Sequence, residues 1–214
     1  MSEEIIQKSL AIGGSVIMLS RLQFLVEGLF QSSSKLFHKV GLSPNSLTVI
    51  GFMLSLVAAT FYWGGLSGWE WPGVILVLVI GSFFDAVDGA MARKYAKVSK
   101  FGGVLDSVLD RIAEIALYVG LLAGSLIQPW IGIWALSAAL MVSYVRARVS
   151  VEGVTLKGVG VAERPERLLI LIIATLFWPL SSSILSVGVL LVAVLSSITV
   201  VSRVYRASVV LSRV

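Results

Sequence analysis

The sequence contains no cysteine and a single histidine, His38. The first absence rules out disulfides, thiolate metal sites and cysteine nucleophiles, and it carries nothing firm about compartment. The second excludes a metal cluster built on histidines. Charge is scarce as well: 14% of the 214 residues are charged, against about 25% in an ordinary soluble domain. Apolar residues fill the space instead, at 57% of the chain and a mean hydropathy of +0.95. That balance implies an all-α multipass membrane protein. The opening residues, MSEEIIQKS, are acidic and lack an apolar core with a small-residue cleavage site, so no cleavable signal peptide is expected.

A transmembrane helix needs roughly 20 mostly apolar residues. Six stretches qualify: 46–66, 72–93, 105–127, 129–148, 166–182 and 184–204. Residues 21–40 read differently, because Leu22, Phe24, Leu25, Leu29, Leu36 and Phe37 alternate with Arg21, Glu27, Ser32, Ser33, Lys35 and Lys39. This pattern suits an interfacial amphipathic helix, and equally a helix packed on the bundle. The expected organisation is therefore an N-terminal cytoplasmic or interfacial segment, 1–42, followed by a six-helix membrane domain, 43–214. With the N-terminus inside, all 17 Lys and Arg fall on or near the cytoplasmic side. All six tryptophans (Trp63, Trp69, Trp71, Trp130, Trp134 and Trp178) then fall at the outer end. Positive-inside bias and an aromatic belt agree on one topology, with both termini and the 94–104 and 149–165 loops in the cytoplasm of a cell-membrane protein. The net charge of +5 is thus an orientation signal with some attraction for anionic lipid, not a nucleic-acid footprint.

Against this oily background stands FFDAVDGAMARKYAKVSKFGGVLDSVLDR, residues 83–111, which holds every aspartate of the chain: Asp85, Asp88, Asp106 and Asp110. The first two are three apart at the inner end of the second span, and the last two four apart at the inner start of the third. Each pair shares a helix face. Charged residues cost about 2.5–3.5 kcal/mol each at mid-membrane on insertion scales, and they mark function by default. Four converging carboxylates need compensation, from Arg93 and Arg111 or from divalent cations. An all-oxygen site suits Mg²⁺ or Mn²⁺, and a pair of such ions is the usual clamp for phosphoryl transfer. A salt-bridged helix pair without catalysis, an acid-cluster ion transporter and a nonenzymatic scaffold are the other readings. Two arginines fall short of four aspartates, and the acids gather near one interface rather than the bilayer midplane.

The pattern Asp85-x2-Asp88-Gly89-x2-Ala92-Arg93-x8-Gly102-x3-Asp106-x3-Asp110 resembles, at every fixed position, the signature of the CDP-alcohol phosphotransferases. The resemblance implies an N-terminal interfacial helix, six spans and a homodimer. It also implies that Asp85, Asp88, Asp106 and Asp110 ligate two Mg²⁺ or Mn²⁺ ions, with Asp110 as general base. Gly89, Arg93 and Ser99 match positions that contact the CDP moiety. A second element, LSPNSLT, is similar to one in which Asn45, Ser46, Leu47 and Thr48 close the nucleotide end of the site. As a local signal, the same segment reads as a helix start capped by Ser43 or Asn45. The implied reaction is attack of an acceptor hydroxyl on the lipid-side phosphorus of a CDP-activated lipid, with CMP leaving.

The acceptor must be read elsewhere. SYVRARVS places Arg146 and Arg148 at the inner end of the fourth span. VAERPERLLI places Arg164 and Arg167 at the start of the fifth, and Arg203 and Arg206 end the sixth. Arginine offers phosphate a planar, bidentate fork, so a phosphorylated acceptor is favoured; positive-inside flanking is the plainer explanation of any one of them. SYVRARVS and ERPERLLI together resemble the phosphatidylinositol-phosphate synthase branch. That likeness implies inositol 1-phosphate as acceptor, held by Arg146, Arg148, Arg164, Arg167 and Arg203. The donor would be CDP-diacylglycerol, or CDP-archaeol on an ether lipid. Glycerol 3-phosphate is the rival acceptor.

Overall fold

The computed structural model describes residues 28–95, 99–156 and 158–212. Residues 21–27, the first part of the expected interfacial helix, lie outside them with the rest of 1–27. Among the described residues there are seven α-helices, one 3-10 turn and no strand. The first helix, α1, covers 28–39. It buries one face, with Phe30 against Phe83 and Phe37 against Phe84 at ring-centroid distances of 5.8 and 5.5 Å. Its other face exposes Leu29 and Leu36 together with Gln31, Ser32, Lys35 and Lys39, so the helix is packed on the bundle with a mixed outer face. It ends in a Schellman turn: Leu42 N–H donates to Phe37 O, Gly41 N–H donates to His38 O, and Gly41 takes φ +85.

Six longer elements follow. Helix α2 is Pro44–Gly64, with proline in its first turn and Ser43 as the cap, whose Oγ accepts from Ser46 N. Helix α3 is Glu70–Lys94 and α4 is Lys100–Ala123. The helix expected to begin at 105 begins five residues earlier, because Ser99 Oγ accepts from Gly102 N and starts the helix there. Helix α5 is Pro129–Val151, α6 is Arg164–Leu176, and α7 is Ser183–Leu211. The segment expected as one span over 166–182 stops at Leu176 and tightens into a 3-10 turn, Trp178–Leu180. Pro179 explains the break, since it cannot donate and disfavours helix at the residue before it. Four helices (α2, α3, α5 and α7) are long and apolar enough to cross a membrane. Helix α6 has only 13 residues, and α4 carries Asp106, Asp110, Arg111 and Glu114 along its length.

The packing divides into two groups. Helix α2 lies against α3 and α4, α7 lies against α5 and α6, and α3–α6 and α4–α5 contacts join the groups. Along α4, a Cβ at Gly120 would run into Ala59 O and one at Gly124 into Tyr62 O. The glycines let two backbones touch where any side chain would force them apart. At the end of the bundle away from the aspartates, Thr175 gives its proton to Leu171 O (2.8 Å), and Tyr62 donates to Thr175 Oγ1 (2.6 Å). Trp71 Nε1 donates to Thr175 O at 2.6 Å. These bonds satisfy polar groups where an unpaired one would be costly.

Candidate active site

The last turns of α3 and the first turns of α4 meet at the opposite end. Asp85, Asp88 and Asp106 each bring a carboxylate oxygen within 4.8 Å of the others. Asp88 is buried and accepts a 2.6 Å hydrogen bond from Thr48 Oγ1 of α2. Asp110 stands one turn further along α4 and lies outside this trio. Its Oδ1 is 2.6 Å from Arg164 Nη1 and its Oδ2 is 3.3 Å from Arg111 Nη1. Arg164 also donates to Asp85 Oδ2 at 2.7 Å. A single guanidinium thus ties the trio to the fourth acid. Three close carboxylates and one shared arginine leave an excess of negative charge on an all-oxygen donor set, which fits a hard divalent cation.

Two kinds of cavity border this cluster. One, of about 250 Å³, is enclosed by α2, α3 and α4 and lined by Asn45, Thr48, Asp88, Gly89, Arg93, Ser99 and Asp106. Gly102 belongs to its wall, and a Cβ there would stand 2.9 Å from both Asn45 Oδ1 and Ser99 Oγ. Of the nucleotide-end residues singled out in LSPNSLT, Asn45 and Thr48 face this space. Ser46 instead bonds Ser43 Oγ at 2.8 Å, and Leu47 is fully buried beside Val87 and Met91.

The second space is basic and lies on the other side of the cluster. A cavity of about 190 Å³ is bounded by Asp85, Asp110, Arg111, Arg146, Arg164, Arg167 and Arg203. A wider one of about 690 Å³ shares Asp110, Arg111, Ser143 and Arg146 with it. Four of the five expected acceptor arginines therefore converge. Arg148 does not line either space; it is exposed and pairs with Glu152, the residue just past the end of its own helix. The four differ in freedom. Arg167 is buried and gives Nε and Nη2 to Glu114 (2.7 and 2.9 Å) and Nη1 to Ala162 O. Arg203, 1% exposed, donates to Val159 O, Val142 O and Glu163 Oε1. These two support the wall, whereas Arg146 and Arg164 present the more available guanidinium groups.

Sequence reasoning treated Arg111 only as a counter-charge, and it passed over Glu114, Ser143 and Glu163. Arg111 Nη2 donates to Ser143 Oγ at 2.8 Å and joins α4 to α5 beside Asp110. A usable signal existed for Glu114: an acid inside an apolar helix needs a partner, and Arg167 is the matching charge in another.

Known proteins resemble this chain over most of its length. Residues 41–201 match the family model described as CDP-alcohol phosphatidyltransferase. The chain is 40% identical over 190 residues to the archaetidylinositol phosphate synthase of Pyrococcus horikoshii, covering 89% of this chain and 96% of that protein. It is 31% identical to the phosphatidylinositol phosphate synthase of Mycobacteroides abscessus, over 78% of each. Among solved structures, the phosphatidylinositol phosphate synthase of Mycobacterium tuberculosis with CDP-DAG bound superposes with a TM-score of 0.72 at 30% identity, covering 83% of this chain and 92% of that one. The same enzyme in complex with manganese and citrate also gives 0.72, at 31% identity. With well over half its length matched and its aspartates gathered at one end of the bundle, the chain belongs to the CDP-alcohol phosphatidyltransferase family, membrane enzymes of phospholipid synthesis.

Proposed function

We propose that this protein transfers the phosphatidyl or archaetidyl group of a CDP-activated lipid to inositol 1-phosphate and releases CMP. The observation that carries the reading is the position of the acid cluster as a wall between two unlike cavities. Asp88 and Asp106 face the space lined by Asn45, Gly89 and Arg93. Asp85 and Asp110 face the space lined by arginines, and Asp106 stands on the boundary, bordering the wider basic cavity as well. A nucleotide-bearing donor suits the first and a phosphorylated alcohol the second, and the names of the similar synthases support inositol phosphate as that alcohol.

Asp85, Asp88, Asp106 and Asp110 would hold two divalent ions, Mg²⁺ or Mn²⁺. When bound, such ions supply positive charge to the pyrophosphate and to the leaving CMP. The chain's own residues do the rest. Arg146 and Arg164 grip the acceptor's phosphate and aim its hydroxyl at the lipid-side phosphorus. Asp110, its carboxylate oriented by Arg111 and Arg164, takes the hydroxyl proton as the new phosphorus–oxygen bond forms and the bond to CMP breaks. Arg93 and Gly89 border the nucleotide, with Ser99 and Asn45 closing that end.

The same reading sets the membrane frame. All six helices from α2 to α7 span, α6 continuing through the 3-10 turn, and α1 lies in the interface. Both termini and the site face the cytoplasm, supported by the one-sided distribution of Lys and Arg against Trp. A homodimer is proposed on the family resemblance alone.

The test is CMP release by purified protein with CDP-lipid, Mg²⁺ and a panel of acceptors. Release with inositol 1-phosphate is expected; release with glycerol 3-phosphate alone would overturn the assignment. A sharper prediction concerns Arg164→Ala. Loss of a charged hydrogen bond to phosphate costs about 1.5–3 kcal/mol, so the acceptor KM should rise about tenfold or more while the donor KM changes far less. An equal rise in both would make Arg164 a structural residue.

A further inference from the structure

Arg164 is the first residue of α6, and the chain just before it is held in an unusual way. Polar backbone at a helix–helix connection is ordinarily satisfied by water. Here, three side chains satisfy it, two from α7 and one from α6. Thr199 Oγ1 of α7, on a fully buried residue, accepts from both Val161 N and Ala162 N at 3.1 Å. Its own proton goes to Leu195 O at 2.8 Å. Arg203, one turn further along α7, donates to Val159 O at 2.8 Å and to Glu163 Oε1 at 2.7 Å. Arg167, anchored on Glu114 of α4, donates to Ala162 O at 2.7 Å. Gly160 makes the close approach possible: it takes φ +113, and a Cβ there would run into Thr199 Cγ2.

We infer that Thr199 and Glu163 are positioning residues for the acceptor site: they clamp segment 159–163 onto α7 and thereby set where Arg164 stands relative to Asp110. This rests on the arginine-lined cavity being the acceptor's. Two things single out the clamp from ordinary loop packing. It ends on the residue whose guanidinium touches Asp85 and Asp110 at 2.7 and 2.6 Å. It also engages Arg203 and Glu163, both of which border the basic cavity. The donor cavity shares no residue with the clamp. Slack in the clamp therefore acts first on the arginine-lined cavity and on the donor cavity only through the acid cluster. Misplacement by about 1 Å is enough to change rates up to a hundredfold.

Thr199→Val keeps the volume and the contact on Gly160 while removing the acceptor for two amides. The acceptor KM is expected to rise about tenfold with the donor KM within about twofold, and Thr199→Ser is expected to restore most of it. Hydrogen exchange at Val161 and Ala162 should accelerate while the interior amides of α7 keep their protection. Should Thr199→Val fail to fold, Glu163→Gln carries the same kinetic and exchange measurements. Equal changes in both KM values, unchanged kinetics, or no rescue by serine would overturn the inference. If wild-type protein releases no CMP with any phosphorylated acceptor, the functional reading fails; unaltered exchange at 159–163 in the variants would sink the clamp independently.

Discussion

Asp110→Asn is expected to lower kcat about a thousandfold while leaving CDP-lipid binding within a few-fold of wild type. A positioned general base contributes typically 10²–10⁴ to rate, and asparagine keeps the shape of the side chain and an oxygen that can still face a cation, without the ability to take a proton. The structure supplies the reason for the second half of the expectation. Asp110 does not line the cavity between α2, α3 and α4, where Asp88 and Asp106 stand with Asn45, Gly89 and Arg93. It lies instead at the junction of the two arginine-lined spaces. CMP release and equilibrium binding of the CDP-lipid, measured on the same preparation, check both halves. Unchanged turnover would rule out Asp110 as the base. Donor affinity falling in step with turnover would make it a part of the donor site.

The second large effect is on stability. Arg167→Ala should destabilise the protein by about 3–5 kcal/mol, the usual cost of removing one partner from a buried ion pair. The pair is well enclosed: the Arg167 and Glu114 side chains are 3% and 9% exposed. The guanidinium meets the carboxylate through two parallel bonds, from Nε and Nη2. Truncation leaves Glu114 charged among Ala113, Leu117 and Tyr118, all buried. The double variant Arg167→Met with Glu114→Gln should recover the larger part of the loss, because no charge is left stranded. Thermal unfolding in detergent reads both. A single variant as stable as wild type would show that solvent reaches Glu114 and screens it.

The contrast between these residues explains what could be read from the chain. Asp85, Asp88, Asp106 and Asp110 were legible because their spacing of three and four maps directly onto helix faces, and because nothing else in the chain competes with them. Helix ends were less so. The early start of α4 depends on the Ser99 hydroxyl reaching Gly102 N, and serine ahead of lysine carries no strong signal. The arginines were legible in sign and side but not in partner. A guanidinium at a helix end reads the same whether it faces a phosphate, as proposed for Arg164, or a carboxylate distant in sequence, as Arg203 faces Glu163. Thr199 was invisible: one hydroxyl in the run VLSSITVV resembles any polar residue a helix tolerates by bonding its own carbonyl.

Gly120 and Gly124 carry a consequence for which parts of the bundle hold each cavity. With backbone resting on backbone, α2 and α4 form one rigid leaf with α3. Helices α5, α6 and α7 make the other leaf, and the seam between them is crossed by Arg164, Arg167 and the Tyr62–Thr175 bond. The nucleotide cavity lies wholly within the first leaf, whereas the arginine cavity straddles the seam. A substitution that loosens this seam is therefore expected to alter the arginine-lined cavity before it alters the one between α2, α3 and α4.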